Sequence, residues 1–237
     1  MAISKLQLPA GVVTHSLNSP AKLANQLAAD VADALRAAIT EKNQATLVVS
    51  GGRSPVAFLE ALSQQELQWS SVVVSLADER WVPTTHADSN EGLVRRHLLQ
   101  GPAAAARMLG LYYSAPSLDQ AALVADQALQ DLPPIDVVVL GMGDDGHTAS
   151  LFPGSPNLLE AMSPNAQRHC LPMLAPSVPH QRLTMTLPLL TSAKRLVLAI
   201  QGNSKLATLT QALRVDSPAN MPVRAFLKSP LEIYWCA

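Results

Sequence analysis

The chain is poor in residues that would staple it covalently or carry it through a membrane. Only two cysteines, Cys170 and Cys236, occur in 237 residues. Two thiols cannot make the disulfide framework of a small secreted scaffold or a cysteine-based zinc site. Both are expected to be buried and reduced. No apolar run approaches the ~18 residues of a membrane span. The N-terminal stretch MAISKLQLPAGVVTHS lacks the long apolar core of a secretory signal. Charged residues make up only 15%, and the formal net charge is −1. That balance gives no electrostatic footprint for nucleic acid or an acidic membrane. The expectation is a cytoplasmic protein with neither partner, in which any anion site is built from a few basic residues gathered locally.

What the chain does have is apolar material, 48% of its residues, enough for a sizeable core. It is laid out in alternating strands and helices. The apolar runs ATLVVS, SSVVVSL, IDVVVL, RLVLAI and LEIYWC read as strands, with shorter ones near MLGLYY and at the start of RLTMTLPLL. Between them, SPAKLANQLAADVADALRAAIT, PVAFLEAL, EGLVRRHLL, SLDQAALVADQALQDL and NSKLATLTQALR carry helical spacing. Ser19 is placed to cap the first helix, and Pro20 suits its first turn. PVRAFL reads as a further short helix. The stretch from Ser155 to Pro179 is proline-rich and irregular, and ADERWVPTTHADSN reads as a loop. Uninterrupted apolar strands suit a parallel sheet covered on both faces. The expected fold is therefore α/β: one domain over residues 1–237, with a doubly wound, mostly parallel, Rossmann-like sheet. Ligands of such sheets bind at the carboxyl ends of the strands.

After IDVVVL comes GMGDDGHTASLFPGS, whose first six residues have the G-x-G-x-x-G spelling of a dinucleotide turn. Its context contradicts that reading. Asp144 and Asp145 would repel a pyrophosphate. HTASLF meets Pro153 before a covering helix can form. The segment where an acidic residue should end a second strand reads AMSPNAQRHC, with no acid. What remains is a flexible turn with two acids and His147 at the start of a short helix. The positive end of a helix disfavours imidazolium, so the ring is expected neutral and able to take a proton, with Asp145 near enough in sequence to orient it.

Three other strand ends suit an anion. In SGGRSP, the amides around Gly51 and Gly52 can form a concavity before a helix, with Arg53 in the turn. In LADERWVP, Arg80 can fork onto a phosphate, with Asp78 and Glu79 beside it. In QGNSKLATL, Lys205 sits in a first helical turn, where its charge opposes the dipole and a bound anion would explain it. Together these residues have the composition of a pocket for a small phosphorylated molecule with one neutral base. No G-x-S-x-G elbow occurs, so no α/β-hydrolase serine is expected.

VVSGGRSP, LADERWVP with ADSN following, GMGDDGHTASLFPGS and QGNSKLATL, in that order across nearly the whole chain, resemble the 6-phosphogluconolactonases. The resemblance implies hydrolysis of 6-phospho-D-glucono-1,5-lactone, the second step of the oxidative pentose phosphate pathway, without metal or organic cofactor, and leans to a monomer. It makes His147 the catalytic base, Arg80 and Lys205 phosphate ligands, and the Gly51–Gly52 turn part of the same site. The Gly141–Gly146 turn, Gly143 included, is expected to border the oxyanion. One departure concerns the glycine turn: where the family often has small hydroxyl residues, this chain has Arg53 and Ser54. The sibling glucosamine-6-phosphate deaminase/isomerases share the glycine turn and the Asp-Gly-His motif. They place a tyrosine after the Asp-Glu pair and a glutamate beyond the histidine. Here those positions hold Arg80 and Leu151-Phe152-Pro153, which favours the lactonase. A non-catalytic sugar-phosphate sensor is the remaining alternative.

Overall fold

A computed structural model describes residues 3–176, 179–228 and 230–237. The chain runs through β1 (Val12–Leu17), α1 (Pro20–Lys42), β2 (Ala45–Val49), α2 (Val56–Ser63), β3 (Val72–Leu76) and β4 (Asp78–Arg80). It continues with α3 (Asn90–His97), β5 (Arg107–Leu109), α4 (Leu118–Leu129), β6 (Val137–Leu140), α5 (Leu158–Ala161) and β7 (Cys170–Met173). It ends with β8 (Arg182–Met185), α6 (Leu187–Thr191), β9 (Arg195–Gln201), α7 (Asn203–Ala212), α8 (Val223–Phe226) and β10 (Leu231–Cys236).

Seven strands pair in parallel in the order β1-β10-β9-β6-β2-β3-β5. This is the expected doubly wound, mostly parallel α/β sheet. From β2 the chain steps outward through β3 and β5; from β6 it steps the other way through β9 and β10. β2, β3 and β6 are buried along their whole length, which is why their sequences are unbroken apolar runs.

α1 shows how local sequence sets an element. The Ser19 hydroxyl accepts the Lys22 N–H at 3.2 Å, Pro20 occupies the first turn, and Asn43 ends the helix in the left-handed region at φ 60°. Leu23, Leu27, Val31 and Leu35 recur every fourth residue and are buried. That stripe packs onto the sheet. Burying each such side chain contributes roughly 1.5–3 kcal/mol.

Three parts of the fold differ from the sequence reading. β1 precedes the first helix, where no strand was expected. β4 lies in the expected loop and β7 in the expected irregular stretch; with β8 they form a second, antiparallel sheet in the order β4-β8-β7. RLTMTLPLL begins as strand β8 but turns at Thr186 into helix α6. β4 is three charged residues long, so it has no apolar alternation to read. It exists only because β8, far along the chain, pairs with it.

Both cysteines are buried free thiols, as expected. Burial pushes the Cys170 thiol up to about 12. Native protein at about pH 8 is therefore expected to leave a thiol reagent unreacted over minutes, since the thiolate is the nucleophile. Both cysteines should react after denaturation. A fast native reaction would contradict this packing.

Candidate active site

β2 and β6 are hydrogen-bonded neighbours whose chains continue toward opposite edges of the sheet. The loops after them must part, leaving a crevice at their carboxyl ends. A pocket of about 210 Å³ opens there, room for one small molecule. Its walls come from the Gly51–Gly52 turn after β2, Asp78 and Arg80 on β4, Asn90 at the start of α3, and the Gly141–His147 turn after β6. Leu23, Leu27 and Phe58 close the apolar back.

Two glycines are there because neighbours sit where a Cβ would be. A Cβ on Gly51 would lie 1.9 Å from Asn90 Oδ1, and one on Gly143 would lie 2.1 Å from the His147 ring. The turn after β6 thus folds back tightly enough for the imidazole to cover it. The Gly143 N–H donates to the His147 carbonyl at 2.9 Å.

The His147 Nδ1 meets Asp145 Oδ1 at 2.5 Å, and the same oxygen accepts the His147 N–H at 3.1 Å. Burial works to raise the Asp145 carboxyl, but the hydrogen bonds from the His147 ring and N–H outweigh it and hold the group below its ordinary value. An ionised carboxylate only accepts, so Nδ1 carries a proton, and Nε2 is the accepting nitrogen of the neutral ring. Phe152 backs the ring, with centroids 4.4 Å apart. One expectation is corrected here: HTASLF forms turns and a Thr148–Leu151 bridge, not a short helix. No helix terminus governs His147; the Asp145 contact sets its tautomer instead.

The opposite wall is held by Glu79, which is fully buried. Its carboxylate accepts the N–H groups of Arg80 at 2.7 Å, Asn90 at 2.7 Å and Glu91 at 2.8 Å, and the Ser89 hydroxyl at 3.1 Å. Burial raises its carboxyl above the ordinary value, and these four bonds, which favour the ionised form, offset part of the rise. One side chain thereby clamps β4 to the first turn of α3. Arg80 donates from its guanidinium to the Asp88 carbonyl at 2.6 Å. Asp78 accepts the Ser150 hydroxyl at 2.5 Å, linking this wall to the His147 turn.

Of the residues expected from sequence, Gly51, Gly52, Arg53, Asp78, Arg80, Gly143 and His147 all line this pocket. Asp145 stands behind His147. Lys205 is in the first turn of α7 as expected, but does not line the pocket; its ammonium donates to Asp144 Oδ1 at 2.7 Å. Asp78 does not touch the Arg80 guanidinium, and Glu79 holds only the Arg80 backbone.

Sequence reasoning missed three polar groups. Asn90 Oδ1 and Ser50 Oγ are buried in the pocket wall without a partner among the described residues. Arg182 on β8 is buried too, with Nε and a terminal nitrogen unpartnered. Asn90 ends the ADSN stretch and was legible as part of a motif; nothing local marks Arg182. Among the described residues, one group has metal-ligand geometry: His86, Asp88 and His180, exposed or half-buried, with donor atoms within 4.8 Å of one another. His180 Nε2 lies 2.8 Å from the Asp88 carboxylate.

The family model for glucosamine-6-phosphate isomerases/6-phosphogluconolactonase matches residues 18–235. A 6-phosphogluconolactonase of Pseudomonas aeruginosa is 65% identical over 236 residues, covering 99% of each chain. One from Pseudomonas putida is 62% identical, covering 100% of this chain and 98% of the relative. Among solved structures, a 6-phosphogluconolactonase from Shewanella baltica OS155 superposes with a TM-score of 0.93 at 38% identity, covering 97% of this chain and all of the other.

The clamp makes a prediction. Glu79→Ala strands three backbone donors, two of them in the first turn of α3, so it should lower unfolding stability by about 2 to 4 kcal/mol in a urea titration. A change within about 0.5 kcal/mol, the range of an ordinary surface substitution, would remove Glu79 from this role.

Proposed function

The chain belongs to the glucosamine-6-phosphate isomerase/6-phosphogluconolactonase family, and from that premise we propose that it hydrolyses 6-phospho-D-glucono-1,5-lactone to 6-phospho-D-gluconate. The observation that carries this reading is one pocket lined by both His147, its tautomer set by Asp145, and the Arg80 guanidinium. A base and an anion ligand on facing walls suit a reacting carbonyl at one end of a sugar and a phosphate at the other.

In the proposed mechanism, His147 Nε2 takes a proton from water as the water attacks C1. The resulting oxyanion needs donors already in place. Within the Gly141–His147 turn, the N–H groups of Gly143, Gly146 and His147 are engaged by His147, Gly143 and Asp145. The amides of Gly51 and Gly52 have no protein acceptor among the described residues, which favours that turn as an anion cradle. The ring oxygen then leaves and receives the proton back from His147. Arg80 holds the remote phosphate, converting binding energy into positioning. Lys205 joins it by exchanging Asp144 for the phosphate. Asp144 is 81% exposed, and an ion pair that open is worth only about 0–1 kcal/mol. Arg53, exposed at the pocket mouth, is free to add a contact.

Phe152 argues against the amino-sugar reaction of the sibling enzymes. It is buried against His147 in the segment where they carry an acid, so an aromatic ring and not a further acid occupies that side of the imidazole. An assay for ammonia release from glucosamine 6-phosphate separates the two activities. The same reading takes residues 1–237 as one lactonase domain, a monomer working in the cytoplasm without metal, organic cofactor or nucleic acid. No helix among the described residues is long and apolar enough to cross a membrane.

Two variants test the roles against freshly generated lactone. His147→Ala should lower kcat by roughly 10²- to 10⁴-fold, the usual worth of general-base catalysis. Near-normal turnover in a folded variant would eliminate the base. Arg80→Ala should act mainly on KM; an unchanged KM would take Arg80 out of the phosphate site.

A further inference from the structure

Arg182 is a buried charge without an ion-pair partner among the described residues. It is 5% exposed, yet it makes no ion pair or side-chain hydrogen bond with any described residue, and its Nε and one terminal nitrogen are buried and unpartnered. Burial, with the positive charge of Arg80 second, depresses its pKa. Nearby acids are committed elsewhere. Asp78 accepts from Ser150, Glu79 is saturated by its four donors, and the Asp88 carboxylate meets His180. A guanidinium taken out of water is stable only with an anionic or hydrogen-bonding partner, so this buried group calls for one.

Strand register shows which way this charge faces. In the antiparallel β4–β8 pair, Arg182 stands opposite Arg80, and Thr184 opposite Asp78. Directly opposed residues project from the same face of a sheet, and alternate residues along a strand share it. Arg80 and Asp78 line the pocket and Arg182 does not, so the register puts Arg182 on the same side of this wall, behind the lining. Its guanidinium carbon lies 6.0 Å from the Phe152 ring centre, and that ring packs on His147. Arg182 and His147 thus share Phe152 as a neighbour.

Building on the lactonase reading, we propose that Arg182 is the inner half of a two-guanidinium seat for the substrate's phosphate, Arg80 meeting the anion from the cavity and Arg182 from the wall behind it. Two adjacent cations, neither ion-paired with a described carboxylate, match a dianion better than a neutral hydroxyl or a single carboxylate. Phe152, in contact with both the Arg182 guanidinium and the His147 ring, then relates the phosphate end to the reacting carbon.

The test is Arg182→Met, which keeps the length of the side chain and removes the charge. Thermal unfolding is followed with and without inorganic phosphate. Steady-state kinetics compare 6-phosphogluconolactone with unphosphorylated glucono-1,5-lactone. In phosphate-free buffer the variant should be at least as stable as the parent, and the stabilisation that phosphate gives the parent should vanish. KM for the phosphorylated lactone should rise about ten- to hundredfold, the worth of a charge-assisted hydrogen bond. Turnover of the unphosphorylated lactone should be unchanged, and Arg182→Lys should fall between. An unfolded or destabilised Arg182→Met would overturn the proposal, because Arg182 would then be stabilising the empty protein. So would equal losses on both lactones, or an undiminished phosphate effect. The two readings fail separately. Parent protein that binds phosphate through Arg182 but hydrolyses no lactone refutes only the activity, whereas lactonase activity with an unaltered KM in the variant refutes only the seat.

Discussion

The reversal of winding between β2 and β6 is the constraint on which everything else rests. Two adjacent parallel strands whose chains leave in opposite directions cannot share a covering loop, so the sheet must open at that point. The chain fills the opening from one side with the Gly51–Gly52 turn and from the other with Gly141–His147. Each turn approaches closely because it carries glycine where a Cβ would strike a neighbour. The pocket is thus a consequence of strand order, and its chemistry comes from what the two turns and the wall beside them present.

That wall is a separate construction. The small antiparallel sheet stands apart from the parallel one and is joined to the His147 turn by Ser150, which donates to Asp78 and, through its N–H, to the Thr184 hydroxyl at 3.3 Å. Glu79 fastens the same wall to α3. A buried carboxylate is costly unless fully bonded, and this one is. The result is a rigid frame that holds Arg80 and Asn90 in place before any ligand arrives. Preorganisation of this kind lets binding energy go into orientation rather than into ordering the protein.

The two histidine–carboxylate contacts near the pocket differ in kind. His147 and Asp145 are two residues apart in one tight turn, so local geometry alone fixes the tautomer. His180 and Asp88 come from distant segments and meet at an exposed rim, where such contacts are weak. Lys205 and Asp144 resemble the second case: a solvent-exposed acid stands in as counter-charge for a lysine whose place at a helix N-terminus is otherwise unfavourable.

The sequence determined by itself what is written in local periodicity and turn chemistry. The buried parallel strands, the Ser19 cap of α1, the glycine turns and the Asp-Gly-His motif are all short-range patterns, and they were enough to gather His147, Arg80 and the Gly51–Gly52 turn at one sheet edge. Tertiary structure alone decided the rest. β4 is three charged residues that become a strand only when β8 pairs with them, and β1 needs β10 beside it. HTASLF follows its turn rather than a helical pattern. Arg182 looks like any strand-end arginine until register sets it opposite Arg80 and burial removes its water. Such features depend on which distant segment lies alongside, and a linear text carries no record of the dielectric around a charge.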